Sequence, residues 1–175
     1  MIEKFLVTET FSADSPHTDL EIVFYNQFPA HKLRSYHEIL MLLPFEPDEY
    51  EAEVEDVEVI DHTVEYDPRI WGWTWRVETK SFRGGWLRRI DMRCKMLDSW
   101  NPESSVLKRR WIIPPDPIQK LSYTVKLPEE YAITEHFAHF MTDVEKKSER
   151  EITFSKELLE MGFKRMEFKL HLARS

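Results

Sequence analysis

The sequence predicts an α+β domain: a mainly antiparallel, twisted sheet of about 7–8 strands with two or three helices packed on it, a partly closed barrel being the nearest variant. Three observations predict it. Apolar and polar residues alternate with a period of two along several stretches, the signature of strands buried on one face. Two windows instead space their apolar residues at three and four. Only four glycines occur in 175 residues, which argues against a propeller or a glycine-rich nucleotide loop.

The stretch Trp71 to Leu97 organises the rest. Trp71, Trp73, Trp75 and Val77 share one parity, with Thr74, Arg76 and Glu78 on the other. Ile90, Met92, Cys94 and Met96 alternate in the same way with Arg89, Asp91, Arg93 and Lys95. Between the two runs, Gly84-Gly85 supplies the backbone freedom of a tight turn, so the runs are expected to pair as a hairpin. A buried indole removes roughly 150–250 Å² from water, so three on one face make the heaviest cluster of the core. Rings scattered, or splayed into solvent along an open groove, would instead count against an interaction module and indicate a ligand-gripping role.

The other elements follow in chain order. Lys4 to Phe11 and Leu20 to Tyr25 read as an opening hairpin around the turn-like Ser12 to Thr18. Pro29 suits the first turn of a helix in which Leu33, Tyr36, His37, Leu40 and Leu43 recur until Pro44. Glu46 to Asp67 carries many acids and no lysine or arginine, and its apolar parity switches near Glu55-Asp56, which predicts a β-bulge. After a loop from Asp98 to Ser105, Val106 to Ile113 and Leu121 to Leu127 read as strands joined by the stiff segment Pro114 to Pro117. Ile133, Phe137, Phe140, Met141 and Val144 mark a helix, with Glu129 and Glu130 in its first turn and Lys146 and Lys147 in its last. Ser155 caps a short helix through Met161, Gly162 ends it, and Met166 to Leu172 forms a final strand.

Length fits one domain over residues 1–175, large enough to bury a core without disulfides. The lone Cys94 falls on a buried parity and reads as a small core residue. The amino terminus lacks the pattern of a secretory leader, and the longest apolar run is Ile39 to Leu43, so a cytoplasmic protein without membrane insertion is expected. The formal net charge of −8 disfavours generic binding to nucleic acid or anionic lipid.

His136 and His139, three apart on the expected helix near Asp143, could face one way toward a metal, but Phe137 and Phe140 already explain that helix. No metal, cofactor or catalytic residue is assigned. The basic residues are more informative. Arg83, Arg88, Arg89, Arg93, Lys108, Arg109 and Arg110 gather with Trp86 and Trp111, while Glu51, Glu53 and Glu55 occupy the polar face of the preceding acidic strand. These twelve residues are the candidate partner-binding set.

Arginine and tryptophan are enriched at protein–protein hot spots, and opposite charges on neighbouring strands attract. The leading expectation is therefore a non-enzymatic protein-interaction or assembly module, self-associating or acting as an acidic inhibitor or adaptor through separated acidic and basic surfaces. One alternative is a small-ligand-binding or hydrolytic barrel-like domain with a tryptophan-lined cavity. Another is single-stranded nucleic-acid or phosphate binding through Arg83, Arg88, Arg110 and Trp111.

Overall fold

The computed structural model describes residues 1–28, 36–113, 115–160, 162 and 164–174. Its regular structure is entirely β, thirteen strands with no helix among the described residues, so the expected α+β class is corrected to all-β. The strands are β1 (Ile2–Phe11), β2 (Thr18–Gln27), β3 (Tyr36–Leu43), β4 (Pro47–Val54), β5 (Val59–Asp67), β6 (Gly72–Lys80) and β7 (Leu87–Met96). They continue with β8 (Val106–Ile113), β9 (Ile118–Lys126), β10 (Tyr131–His139), β11 (Asp143–Lys146), β12 (Glu151–Leu159) and β13 (Lys164–Arg174).

Three open sheets result. The large one runs β11-β12-β9-β1-β2-β7-β4, and two small ones run β10-β13-β8 and β3-β6-β5. All pairings are antiparallel except β1 with β9, which is parallel and central in the large sheet. No barrel closes.

Alternation explains the large sheet. Phe5, Val7 and Phe11 of β1, Leu20, Ile22 and Phe24 of β2, Ile90, Met92 and Met96 of β7, and Leu121, Tyr123 and Val125 of β9 all turn one way and are buried. The small sheets form a second layer over that face. Trp111 of β8 and Phe168 of β13 both pack on Tyr123 of β9, and Phe168 also stacks on Phe154 of β12. Trp75 of β6 lies against Tyr50 of β4. One apolar cluster runs through all three sheets.

The expected helices are strands for identifiable reasons. Of the first, Pro29 and Leu33 lie outside the described residues, and the remainder is β3. Apolar residues stand on both strand faces, Ile39, Met41 and Leu43 on one and the exposed Leu40 with the buried Leu42 on the other, so the period of two is hidden in the sequence. The second expected helix is β10 and β11. A register shift between Ile133 and Glu135 turns Ile133 inward and Phe137 outward although both are odd-numbered, and this imitates helical spacing. Ser155 lies within β12, where Leu158 has a φ of 56° and interrupts the ladder between Glu157 and Leu159; Met161, the expected end of that helix, lies outside the described residues. Pro114 does too.

The predicted bulge near Glu55-Asp56 is a turn. Val57 N–H donates to Val54 O at 3.1 Å, Asp56 takes a φ of 57°, and the chain passes from β4 in the large sheet to β5 in a small one. The tryptophan hairpin is also corrected. β6 pairs with β3 and β5, whereas β7 pairs with β2 and β4. Residues 81–86 carry the chain between layers, tied by Gly85 N–H to Phe28 O at 2.8 Å.

Candidate functional site

The two small sheets meet edge to edge, β3 beside β8, without joining into one ladder. Their seam opens into a groove of about 850 Å³. One bank is Leu42 to Phe45 with Ile70 to Gly72; the other is built by β8 and β13, with Phe137 of β10 at its rim.

The first bank depends on a turn. Asp67 closes β5 opposite Gly72, and its carboxylate accepts hydrogen bonds from the Arg69 backbone N–H at 2.9 Å and from the Arg69 guanidinium. This side-chain-to-backbone bond holds the reversal. The hydrogen bonds to Arg69 also hold the Asp67 carboxyl below its ordinary range. The chain then places Trp71 at a φ of 52°, left-handed backbone that disfavours a bulky residue, and leaves its indole 83% exposed. Gly72 follows because nothing larger fits: a Cβ there would lie 2.6 Å from Leu43 O.

The second bank is basic. In β8, Leu107, Arg109, Trp111 and Ile113 face the core, so Lys108, Arg110 and Ile112 face outward. Register with β13 sets Lys169 beside Lys108, Glu167 beside Arg110 and Arg165 beside Ile112, while Phe137 lies beyond Lys169 and is 64% exposed. The groove thus gathers the surface cations Lys108, Arg110, Arg165 and Lys169 around one carboxylate, Glu167, to which Arg110 bonds at 2.6 Å. Among the described residues no carboxylate pairs with Lys108, Arg165 or Lys169.

Beneath the groove lies a buried polar network. The fully buried Glu9 accepts from Arg109 Nε and Nη2 at 2.9 and 2.6 Å, from Thr18 Oγ1 at 2.8 Å and from the Tyr123 hydroxyl. Arg109 also donates to Lys108 O at 3.1 Å and lies over the rings of Phe11 and Phe45. Burial works against the Arg109 charge, but Glu9's attraction and hydrogen bonds outweigh it and hold the guanidinium above its ordinary range. Burial, then the Glu9 charge, push the Tyr123 phenol well above its own.

The chain superposes over 97% of its length on 40% of a candidate protease from Parabacteroides distasonis, with a TM-score of 0.57 and 9% identity. It superposes over the same share on 28% of native yeast LTA4 hydrolase, with a TM-score of 0.50 and 8% identity. An M1 zinc metallopeptidase from Deinococcus radiodurans aligns over 41% of its length with a TM-score of 0.49 and 12% identity. The likeness establishes the fold alone. The chain spans about two-fifths or less of those proteins' lengths. Neither the protein-family models nor the curated proteins give a match.

The predicted partner-binding residues fall into three places. Lys108, Arg109 and Arg110 line the groove, Arg109 as a buried side chain, whereas Trp111 is buried outside the lining. Arg89, Arg93, Glu51 and Glu55 lie on the outer side of the large sheet and are engaged within the chain. Arg93 reaches Glu21 at 3.4 Å and Glu51 at 3.6 Å, Arg89 pairs with Asp91, and Glu55 accepts from the Arg89 backbone N–H. Hydrogen bonding to Glu21 holds the Arg93 guanidinium above its ordinary range. Glu53 is exposed on β4. The 81–86 connection carries exposed Arg83 and Trp86, and Arg88 at the start of β7 donates to Glu55 O at 2.7 Å and lies over Phe82.

The expected row of three buried indoles separates. Trp75 is buried and donates from Nε1 to His62 Nδ1 at 3.2 Å, Trp73 is half-buried against Tyr66, and Trp71 stands in solvent. His136 and His139 lie three apart on a strand, and residues so spaced face opposite sides. Reading the sequence missed Trp71, Phe137, Arg165 and Lys169 as groove residues. Asp67-Pro68 just ahead of Trp71 was the available signal, since that pair favours a turn.

Proposed function

We propose that this chain is a protein-interaction module that takes an acidic partner in the groove between β3 and β8. One observation carries the reading: a tryptophan held in left-handed backbone is kept out of the core, at the mouth of a cation-lined groove on a protein of net charge −8. Strained backbone persists where surrounding structure enforces it, and such sites cluster at ligand clamps. An exposed indole and phenyl on opposite banks supply apolar contact, and the lysines and arginines supply charge complementarity.

Glu167 within the cationic row and the apolar bank from Leu42 to Phe45 suit a peptide carrying both carboxylates and apolar side chains better than a phosphate backbone. The outer side of the large sheet supports the same choice, because its acids and arginines satisfy one another. In the similar structures this fold makes up less than half of the chain, which supports reading it as a part that works beside other parts. A cytoplasmic setting suits the single buried thiol of Cys94.

The test is a titration with a glutamate-rich peptide followed by tryptophan fluorescence, with a single-stranded oligonucleotide in parallel. The expected result is peptide binding that weakens with added salt and is lost in Trp71→Ala. Preferential binding of the oligonucleotide, or peptide binding untouched by Trp71→Ala, contradicts the proposal.

A further inference from the structure

We infer that the acidic partner binds as an added β-strand, pairing its backbone with the free edge of β8. This rests on the groove reading above and specifies how the groove is filled. Leu172 N–H donates to Ser105 O at 2.8 Å, and these two residues stand opposite each other in the register that pairs β13 with β8. They are therefore a hydrogen-bonded pair of an antiparallel ladder, in which bonded and non-bonded pairs alternate. Counting along β8, Leu107, Arg109, Trp111 and Ile113 spend their backbone groups on β13. Lys108, Arg110 and Ile112 direct theirs away from it, toward the seam.

The residues whose amides and carbonyls face the seam are thus the ones whose side chains face outward, two of them cationic. Among the described residues β8 has β13 as its one ladder partner, and the neighbouring β3 pairs with β6 alone. Lys108 O already accepts from Arg109; among the described residues the backbone groups of Arg110 and Ile112 have no bonded partner.

A strand laid along this edge places every second side chain on the outward face, beside Lys108 and Arg110. The intervening side chains point toward Phe45 and Phe168 in the depth of the groove. The fitting occupant alternates carboxylate and apolar residues. Pairing of β8 with the β8 edge of a second copy is disfavoured, because it would set Lys108 and Arg110 against their own like charges. Lysine and arginine on a bare edge also guard against aggregation, and that role alone would leave the edge without a ligand.

The experiment uses the full chain and a blocked eight-residue peptide alternating glutamate with valine and tyrosine. Affinity is read by tryptophan fluorescence for the parent peptide and for a series carrying one backbone N-methyl group at each position in turn. N-methylation deletes a donor without changing charge. Strand addition predicts a loss of about tenfold at every second position and little change between, the scale of one hydrogen bond.

A flat N-methyl profile, with binding still abolished by Lys108→Glu, overturns strand addition and leaves the groove reading standing. No binding of the parent peptide at low salt overturns both. Concentration-dependent dimerisation that the peptide does not reverse overturns the choice of occupant, because the edge would then be covered by a second copy.

Discussion

Replacing Arg109 with methionine while leaving Glu9 in place strands a carboxylate in the core. Glu9 is fully buried, and Arg109 supplies the only cation that bonds to it among the described residues; Thr18 and Tyr123 provide neutral donors. Removing one member of a buried pair costs about 3–5 kcal/mol, because the remaining charge loses its partner without regaining water. Against a total stability of roughly 5–15 kcal/mol, that is a large fraction. For a chain of this length the melting temperature should fall by roughly 6–20 °C. The double variant Glu9→Gln/Arg109→Met removes both charges yet keeps an oxygen for Thr18 and Tyr123, so it should recover most of the loss. Urea denaturation of wild type, both single variants and the double variant gives the coupling directly. A single-variant cost below about 1 kcal/mol, or a double-variant cost equal to the sum of the singles, would refute the assignment of a coupled buried pair.

Three further outcomes follow from particular residues. Gly72→Ala should destabilise by about 1–3 kcal/mol, because the new Cβ meets Leu43 O at 2.6 Å; an unchanged melting temperature would place the two strands farther apart. Trp71→Gly should hold or raise stability, since it relieves about 1–2 kcal/mol of left-handed strain, while weakening peptide binding in the groove. A loss of stability would show that the indole serves packing instead. Burial, with help from Glu9 and Asp19, raises the Cys94 thiol to about 12 from an ordinary 9.0, so the folded state resists losing that proton. Its stabilising contribution is complete below the unfolded value and disappears as pH rises from about 9 toward 12, and Tyr123 acts in the same direction. Urea midpoints should decline through that range, less steeply in Cys94→Ala; identical profiles for the two proteins would contradict the assignment.

Where one strand face met the core and the other met water, sequence reading succeeded. The hairpin of β1 and β2 and the strands β7, β8, β9 and β13 were all legible from alternation, as was the burial of Cys94. Charge made legible that acidic and basic strands answer one another but not which pair; Glu51 and Glu49 of β4 reach Arg93 and Lys95 of β7. Alternation failed where something disturbed it. β3 carries apolar residues on both faces, β10 changes parity at Ile133–Glu135, and β12 is broken by the left-handed Leu158. Each disturbance produced helical spacing by coincidence. Partner choice was hidden as well, because β6 and β7 have compatible patterns and only long-range packing sends them to different layers. Half of the groove was visible as Lys108 and Arg110. The other half, Trp71, was read as core because parity cannot show that the chain turns left-handed at that residue.

Charge exchange across the groove tests the central claim most directly. Affinities are measured for wild type and for Lys108→Glu/Lys169→Glu, each against a peptide alternating glutamate with valine and against its lysine counterpart. The account predicts that wild type takes the glutamate peptide, that the variant loses it by more than about tenfold, and that the variant gains the lysine peptide. A variant that stays folded and binds the glutamate peptide as tightly as wild type would contradict it.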